Sequence, residues 1–305
     1  MTTIAHNLSR VIVPVDTDYI GIYLTNRCFL SCSYCITNYN EQFINVKQFN
    51  ELEAGEWIEA LNRLELPPGI PLTFQGGEPF LHKGIWDILE NVRHKVDILT
   101  ALPPQVTVER FQKLRTLDWN KRDAPYPRIR VSFHKDQNDY QQLVHRIKEL
   151  QKILSIGLYH IDHPAYPELI AEIKAYAKEH GVEFRTKTLL GPYNGKMYGE
   201  YRYPDACVGK VVRPQVKCKN TVFPIGPDGM IYRCHSDLYG RRRDLAIGNI
   251  TDPNLKLEHR YRNCSFYGTC IPCDTKIKTN HLQKFGYTSV DILFGDEKSA
   301  QDTNH

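Results

Sequence analysis

The run IGIYLTNRCFLSCSYC, residues 20–35, decides the fold. Ile20–Thr25 is a short apolar stretch rich in strand-forming residues, and it reads as a buried strand. It runs directly into a loop that holds Cys28, Cys32 and Cys35 with the spacing C-x3-C-x2-C. Three thiolates on one loop can hold three irons of a cubane [4Fe–4S] cluster and leave the fourth iron without a protein ligand. Soft thiolates also suit zinc, so a zinc knuckle or a set of buried thiols stays open on spacing alone.

Outward from this strand, apolar runs alternate with amphipathic segments as far as about Gly191. Strands are expected at Ile20–Thr25, Leu72–Gln75, Asp97–Ala101, Arg128–Phe133, Ile156–Ile161 and Glu183–Leu189. Helical patterns fall at Val46–Leu64, Gly84–Val92, Val106–Leu114, Asp139–Leu154 and Pro167–His180, and the sixth strand lacks one. Such βα repeats build a parallel sheet, and six strands are too few for a closed eight-stranded barrel. The expected class is therefore α/β, a partial (β/α)6 TIM-like barrel. Reactive groups gather at the C-terminal ends of barrel strands, where the first cysteine loop falls.

The 305 residues, 41% hydrophobic and 24% charged, suffice for an ordinary globular core with one appended module. The N-terminal residues lack the cationic start and apolar run of a signal peptide, and no stretch approaches the roughly 18 apolar residues of a membrane span. A cytoplasmic, soluble protein without a membrane role is expected. A net charge of +4 is too slight to imply nucleic acid. The basic run Arg241-Arg242-Arg243, with Lys210 and Arg213 upstream, reads as a solvated loop. Nine cysteines in such a chain argue for metal or redox chemistry over disulfides. Three lie between Cys28 and Cys35 and six between Cys207 and Cys273, as two metal sites on a cysteine-free scaffold would place them.

The second strand ends in Gly76-Gly77-Glu78-Pro79. With Cys28, Cys32, Cys35 and the aromatic Tyr34 before the last cysteine, this resembles the radical S-adenosylmethionine (SAM) superfamily. The resemblance implies that the open iron chelates the amino and carboxylate groups of SAM. It also implies that the GGEP element holds the SAM amino group and that a 5′-deoxyadenosyl radical abstracts hydrogen from substrate. Glycines let backbone approach a ligand, although the same four residues also make a plain turn. Ser132 and His134 at the fourth strand end, and Arg185 on the sixth, are further SAM-binding candidates by the same resemblance, with structural hydrogen bonding as the alternative for each. Gly157 is a weaker candidate beside adenine.

After Gly191 the texture turns Gly-, Pro- and Tyr-rich, and a cysteine-rich unit follows. Val222–Ile225, the Pro227-Asp228-Gly229 turn and Met230–Arg233 form an expected hairpin. Cys218-x15-Cys234, a long gap and Cys270-x2-Cys273 resemble the SPASM/twitch extensions of radical SAM proteins, in the shorter form with one auxiliary [4Fe–4S] cluster. The expected ligands are Cys218, Cys234, Cys270 and Cys273, with Cys264 the alternative for one place and structural zinc the competing occupant. Residues 1–191 thus form the barrel core, 192–295 the auxiliary unit and 296–305 a disordered tail. Cys207 and Cys264 are left as thiols able to return hydrogen to a substrate radical, or as inert buried cysteines.

The resemblance implies an oxidoreductase or epimerase that takes hydrogen from a small polar molecule such as a sugar, nucleoside or aminocyclitol. An electron donor such as flavodoxin or ferredoxin is implied with it. A peptide or protein maturase is the second reading, disfavoured because the barrel starts near residue 20 and leaves no room for a peptide-recognition domain. A zinc-bound, non-catalytic scaffold is the third.

Overall fold

The computed structural model describes residues 9–35, 50–114, 126–198, 216–268, 270 and 290–295. Six parallel strands form its centre: β1 (Tyr19–Thr25), β2 (Leu72–Gly76), β3 (Val96–Thr100), β4 (Ile129–Ser132), β5 (Ile156–Asp162) and β6 (Phe184–Thr188). Each expected strand is present within about two residues. The helices between them are α1 (Ala54–Asn62), α2 (Ile85–Asn91), α3 (Val108–Gln112), α4 (Tyr140–Leu150) and α5 (Pro167–Glu179). All five are shorter than their amphipathic patterns. At α4, for example, the Asp139 carboxylate accepts the Gln141 N–H at 2.7 Å and the Gln142 N–H at 3.3 Å, which sets the start one residue later. A short hairpin of Gly191–Tyr193 and Lys196–Tyr198 follows β6 in place of a helix.

The C-terminal part adds β7 (Val216–Asn220), β8 (Val222–Ile225), β9 (Met230–Ile231), the short helix α6 (His235–Tyr239), β10 (Gly248–Asn249), β11 (Arg262–Cys264) and β12 (Val290–Leu293). The expected hairpin is β8–β9, but β8 also pairs parallel to β1, Val222 opposite Tyr19 and Ile225 opposite Ile22. The barrel sheet therefore has nine strands in the order β10-β9-β8-β1-β2-β3-β4-β5-β6. All four residues of β8 are buried, as a strand covered on both faces requires. Phe223, Ile225, Ile231 and Ile250 join one hydrophobic core with Ile22, Leu24, Phe74, Trp57 and Ile88. The hairpin thus shares the barrel's own core. A separate antiparallel sheet, β11-β7-β12, carries two of the distal cysteines.

Among the described residues no helix is long and apolar enough to cross a membrane. The tail from residue 296, Cys207 and Cys273 lie outside the described residues.

Candidate active site

The first cysteine loop leaves β1 at the mouth of the barrel and is strapped down from three sides. The Arg27 guanidinium donates to Glu51 Oε2 and to the Leu81 carbonyl, each at 2.9 Å, while the Thr25 hydroxyl donates to Glu51 Oε1. The Ser31 N–H donates to Gln137 Oε1 at 3.0 Å, and Tyr34 Oη lies 3.2 Å from His134 Nδ1 with the rings stacked. His134 is held neutral, its pKa lowered to about 4 by burial and then by neighbouring His160. Tyr34 and His134 therefore meet, and their first role is to fix the loop between Cys32 and Cys35. Arg27, Glu51 and Gln137 escaped the sequence reading because their partners lie 24 to 106 positions away.

Cys28, Cys32 and Cys35 are reduced, in no disulfide among the described residues. Burial raises the Cys28 pKa and pushes that of Cys32 up to about 12, with neighbouring thiolates adding to the shift. Among the described residues no three His, Cys, Asp or Glu side chains stand close enough to clasp a metal ion as they are. The fit to a cluster therefore rests on the donor set of three thiols on one loop, not on a finished cage.

The glycines of the GGEP turn serve chain packing. The Gly77 N–H donates to the Thr25 carbonyl at 3.0 Å and the Glu78 N–H to the Arg27 carbonyl at 2.7 Å. A Cβ on Gly77 would lie 2.2 Å from the Arg27 oxygen, and Gly76 sits at φ +128° with its Cβ position 2.5 Å from the Thr25 oxygen. Only glycines let this turn lie against the stem of the cysteine loop. Glu78 is fully buried and accepts from Phe80 N (3.1 Å), Thr100 Oγ1 (2.8 Å) and Ala101 N (2.7 Å). Burial lifts its pKa to about 7 against the pull of those three bonds. The carboxylate thus ties β2 to β3, which leaves the half-buried backbone of Gly76 and Gly77 as the part of the turn toward the mouth. Pro79 is buried and opens the 3-10 turn Pro79–Leu81.

Ser132 ends β4 half-buried, its carbonyl accepting from Asn138 Nδ2 at 3.2 Å. Arg185 pairs with its neighbour Glu183 at 2.5 Å, so an incoming carboxylate competes with an internal one. Gly157 is explained by packing near the start of β5, where a Cβ would meet Pro127 Cγ at 2.9 Å and the Glu183 oxygen at 3.2 Å. It lies away from the strand's C-terminal end.

Four distal cysteines converge elsewhere. Cys218 on β7, Cys234 at the start of α6, Cys264 at the end of β11 and Cys270 line one cavity together with Arg233, Asp237 and Arg242. The antiparallel register sets Cys264 opposite Val216, and its thiol pairs by hydrogen bond with that of Cys218. That bond, with the Phe266 N–H and the Arg233 guanidinium, holds the Cys264 pKa below the usual thiol value, while Cys218 is held protonated. Buried Asp237 binds Arg233 at 2.6 Å and Arg242 at 3.1 Å. Cys264 was expected as an alternative ligand or a spare thiol. The fold places it inside this cavity beside Cys218, Cys234 and Cys270.

Residues 22–156 match the family model for the Radical SAM superfamily. The chain carries a radical SAM domain. The match starts in β1, ends at the first residue of β5, and includes the cysteine loop and the GGEP turn. GTP 3′,8-cyclase of Clostridium perfringens (strain 13 / Type A) is 24% identical over 139 residues, 46% of this chain and 41% of that protein. GTP 3′,8-cyclase of Geobacter sulfurreducens is 25% identical over 151 residues, 49% of this chain and 44% of that protein. The chain thus spans less than half the length of these relatives. Among solved structures, "Native anSMEcpe with bound AdoMet" is similar at 15% identity and a TM-score of 0.49, covering 79% of this chain and 78% of that one. A radical SAM domain implies a [4Fe–4S] cluster and SAM, and enzymes of this superfamily draw on an electron donor.

Proposed function

We propose that this radical SAM enzyme holds its cluster through Cys28, Cys32 and Cys35 and acts on a small polar substrate, which it oxidises or epimerises. When bound, the cluster and SAM supply a 5′-deoxyadenosyl radical that abstracts hydrogen. The chain's own residues position these groups. Arg27, Glu51, Gln137 and the Tyr34–His134 pair hold the three thiols at the barrel mouth. The backbone of Gly76 and Gly77 faces the SAM ammonium, with Glu78 and Pro79 fixing that turn from behind. Ser132 and Arg185 are the polar groups available to the ribose and carboxylate of SAM. Flavodoxin or ferredoxin serves as electron donor.

The observation that carries the further step is the cavity shared by Cys218, Cys234, Cys264 and Cys270. Four thiols on one cavity match the ligand number of an auxiliary [4Fe–4S] cluster. In this reading residues 192–295 form an auxiliary unit anchored on the barrel edge, with Cys264 as fourth ligand and Cys273 the alternative. A cluster held by these four thiols would supply an acceptor for the substrate electron, which favours oxidation over epimerisation. The names of the cyclase relatives add weight to a nucleoside within the small polar class. The test is to supply deuterated candidate substrates to the anaerobically reconstituted enzyme. The true substrate transfers deuterium into 5′-deoxyadenosine. A preparation that binds zinc and makes no 5′-deoxyadenosine supports a scaffold instead.

A further inference from the structure

The face of the sheet turned away from the helices is charged where a purely structural barrel interior is packed with branched apolar side chains. Phe74, Ile98, Val131 and Leu158 belong to the core under the helices. Strand alternation therefore sends Gln75, Asp97, Arg130 and Tyr159 to the other face. There Arg130 Nη2 pairs with Asp97 Oδ2 at 3.5 Å across β4 and β3, with side chains 6% and 1% exposed.

Three polar atoms on this face are buried without a hydrogen-bond partner among the described residues: Arg130 Nε, Tyr159 Oη and Gln75 Nε2. Each orphaned buried group costs about 1–3 kcal/mol, so three on one face call for a ligand. All three are donors, which selects an acceptor-rich partner. Around them, Arg185 stands opposite Tyr159 in register and pairs with Glu183, and Lys187 Nζ lies 6.0 Å from the Tyr159 ring centre.

We propose that this face binds an oxyanion of the substrate, a carboxylate or a phosphate, through Arg130 Nε–H and Tyr159 O–H, with Gln75 donating from β2. Asp97 pairs with the Arg130 guanidinium at Nη2 and leaves the Nε–H for the ligand, a charge-assisted donor suited to an oxyanion. The inference rests on the radical SAM reading and narrows its substrate class. An aminocyclitol without an acidic group leaves the donors unmet.

The test titrates the reconstituted, SAM-loaded enzyme with inorganic phosphate and, separately, with acetate at constant ionic strength, following binding by calorimetry. One of the two anions is expected to bind saturably, and which one it is separates a phosphate from a carboxylate substrate. Tyr159→Phe is the sharp variant, because its hydroxyl has no partner to lose among the described residues. It should leave the ligand-free melting temperature unchanged and weaken the anion by about threefold or more, the scale of one neutral-donor hydrogen bond. Arg130→Gln would strand Asp97, so it is paired with Asp97→Asn, and the double variant should weaken the anion about tenfold or more. The proposal is overturned if neither anion saturates or if both variants bind it as wild type does. It is also overturned if Tyr159→Phe melts lower without ligand, as a structural hydroxyl would make it do. Iron content and 5′-deoxyadenosine formation, read on the same wild-type preparation, report on the radical SAM reading independently of the anion.

Discussion

The hydroxyls of Tyr23 and Tyr239 lie 3.0 Å apart in a buried contact, their rings edge to face with centres at 6.2 Å. Tyr23 belongs to β1, the strand that feeds the first cysteine loop, and Tyr239 ends α6, the helix that starts at Cys234. The pair joins the two cysteine sites mechanically. Tyr23→Phe and Tyr239→Phe should each cost about 1 kcal/mol, as buried neutral hydrogen bonds do. Urea unfolding of both single variants and the double variant checks this, with a coupling energy of at least about 0.5 kcal/mol expected between them.

Gly77→Ala forces a methyl group to within 2.2 Å of the Arg27 carbonyl oxygen. Backbone on both sides of that contact has little room to yield. The variant should lose about 1–3 kcal/mol of stability, the range of overpacked sites. It should also bind less iron at the first site, because the cysteine loop is displaced. Gly55→Ala is the control, since a Cβ there meets nothing within 4 Å.

Glu78 is expected to impose a pH slope on stability. Burial raises its pKa from 4.5 to about 7 in the folded protein. Between those values the folded chain binds more protons than the unfolded chain, so its contribution to stability falls as pH rises from 4.5 to 7 and is level above that. The slope approaches about 1.4 kcal/mol per pH unit in that window. Thermal unfolding of Glu78→Gln across the same range should lack this contribution.

The six strands of the half-barrel were legible because each is a short apolar run followed by a turn or an amphipathic segment. The cysteine loop was legible because its spacing is local. What escaped the sequence depends on long-range register. Parallel pairing of β8 with β1 joins residues some 200 positions apart, Val222 with Tyr19, and no local period records it. The place of Cys264 follows from the pairing of β11 with β7, whereas spacing alone favoured the Cys270-x2-Cys273 pair. The three internal donors to Glu78 come from a neighbouring strand end and a 3-10 turn, and the GGEP spacing records neither of them. Arg130 and Asp97 were counted as strand residues, and their meeting as a buried ion pair emerges only when β3 and β4 align.

Ligand choice at the distal cavity is open to a direct count. With two clusters the reconstituted enzyme should carry about eight irons per chain. Cys264→Ala should lower this to about four, as should Cys218→Ala, while Cys207→Ala leaves it near eight. A Cys264→Ala protein that retains eight irons would return the fourth place to Cys273.

The most direct measurement is 5′-deoxyadenosine release from SAM by anaerobically reconstituted enzyme under dithionite, compared with a Cys32→Ala variant. Wild type should release it and show a [4Fe–4S] signal that shifts when SAM is added, and the variant should do neither. Zinc bound at Cys28, Cys32 and Cys35 in place of iron, with SAM left intact, would contradict the account.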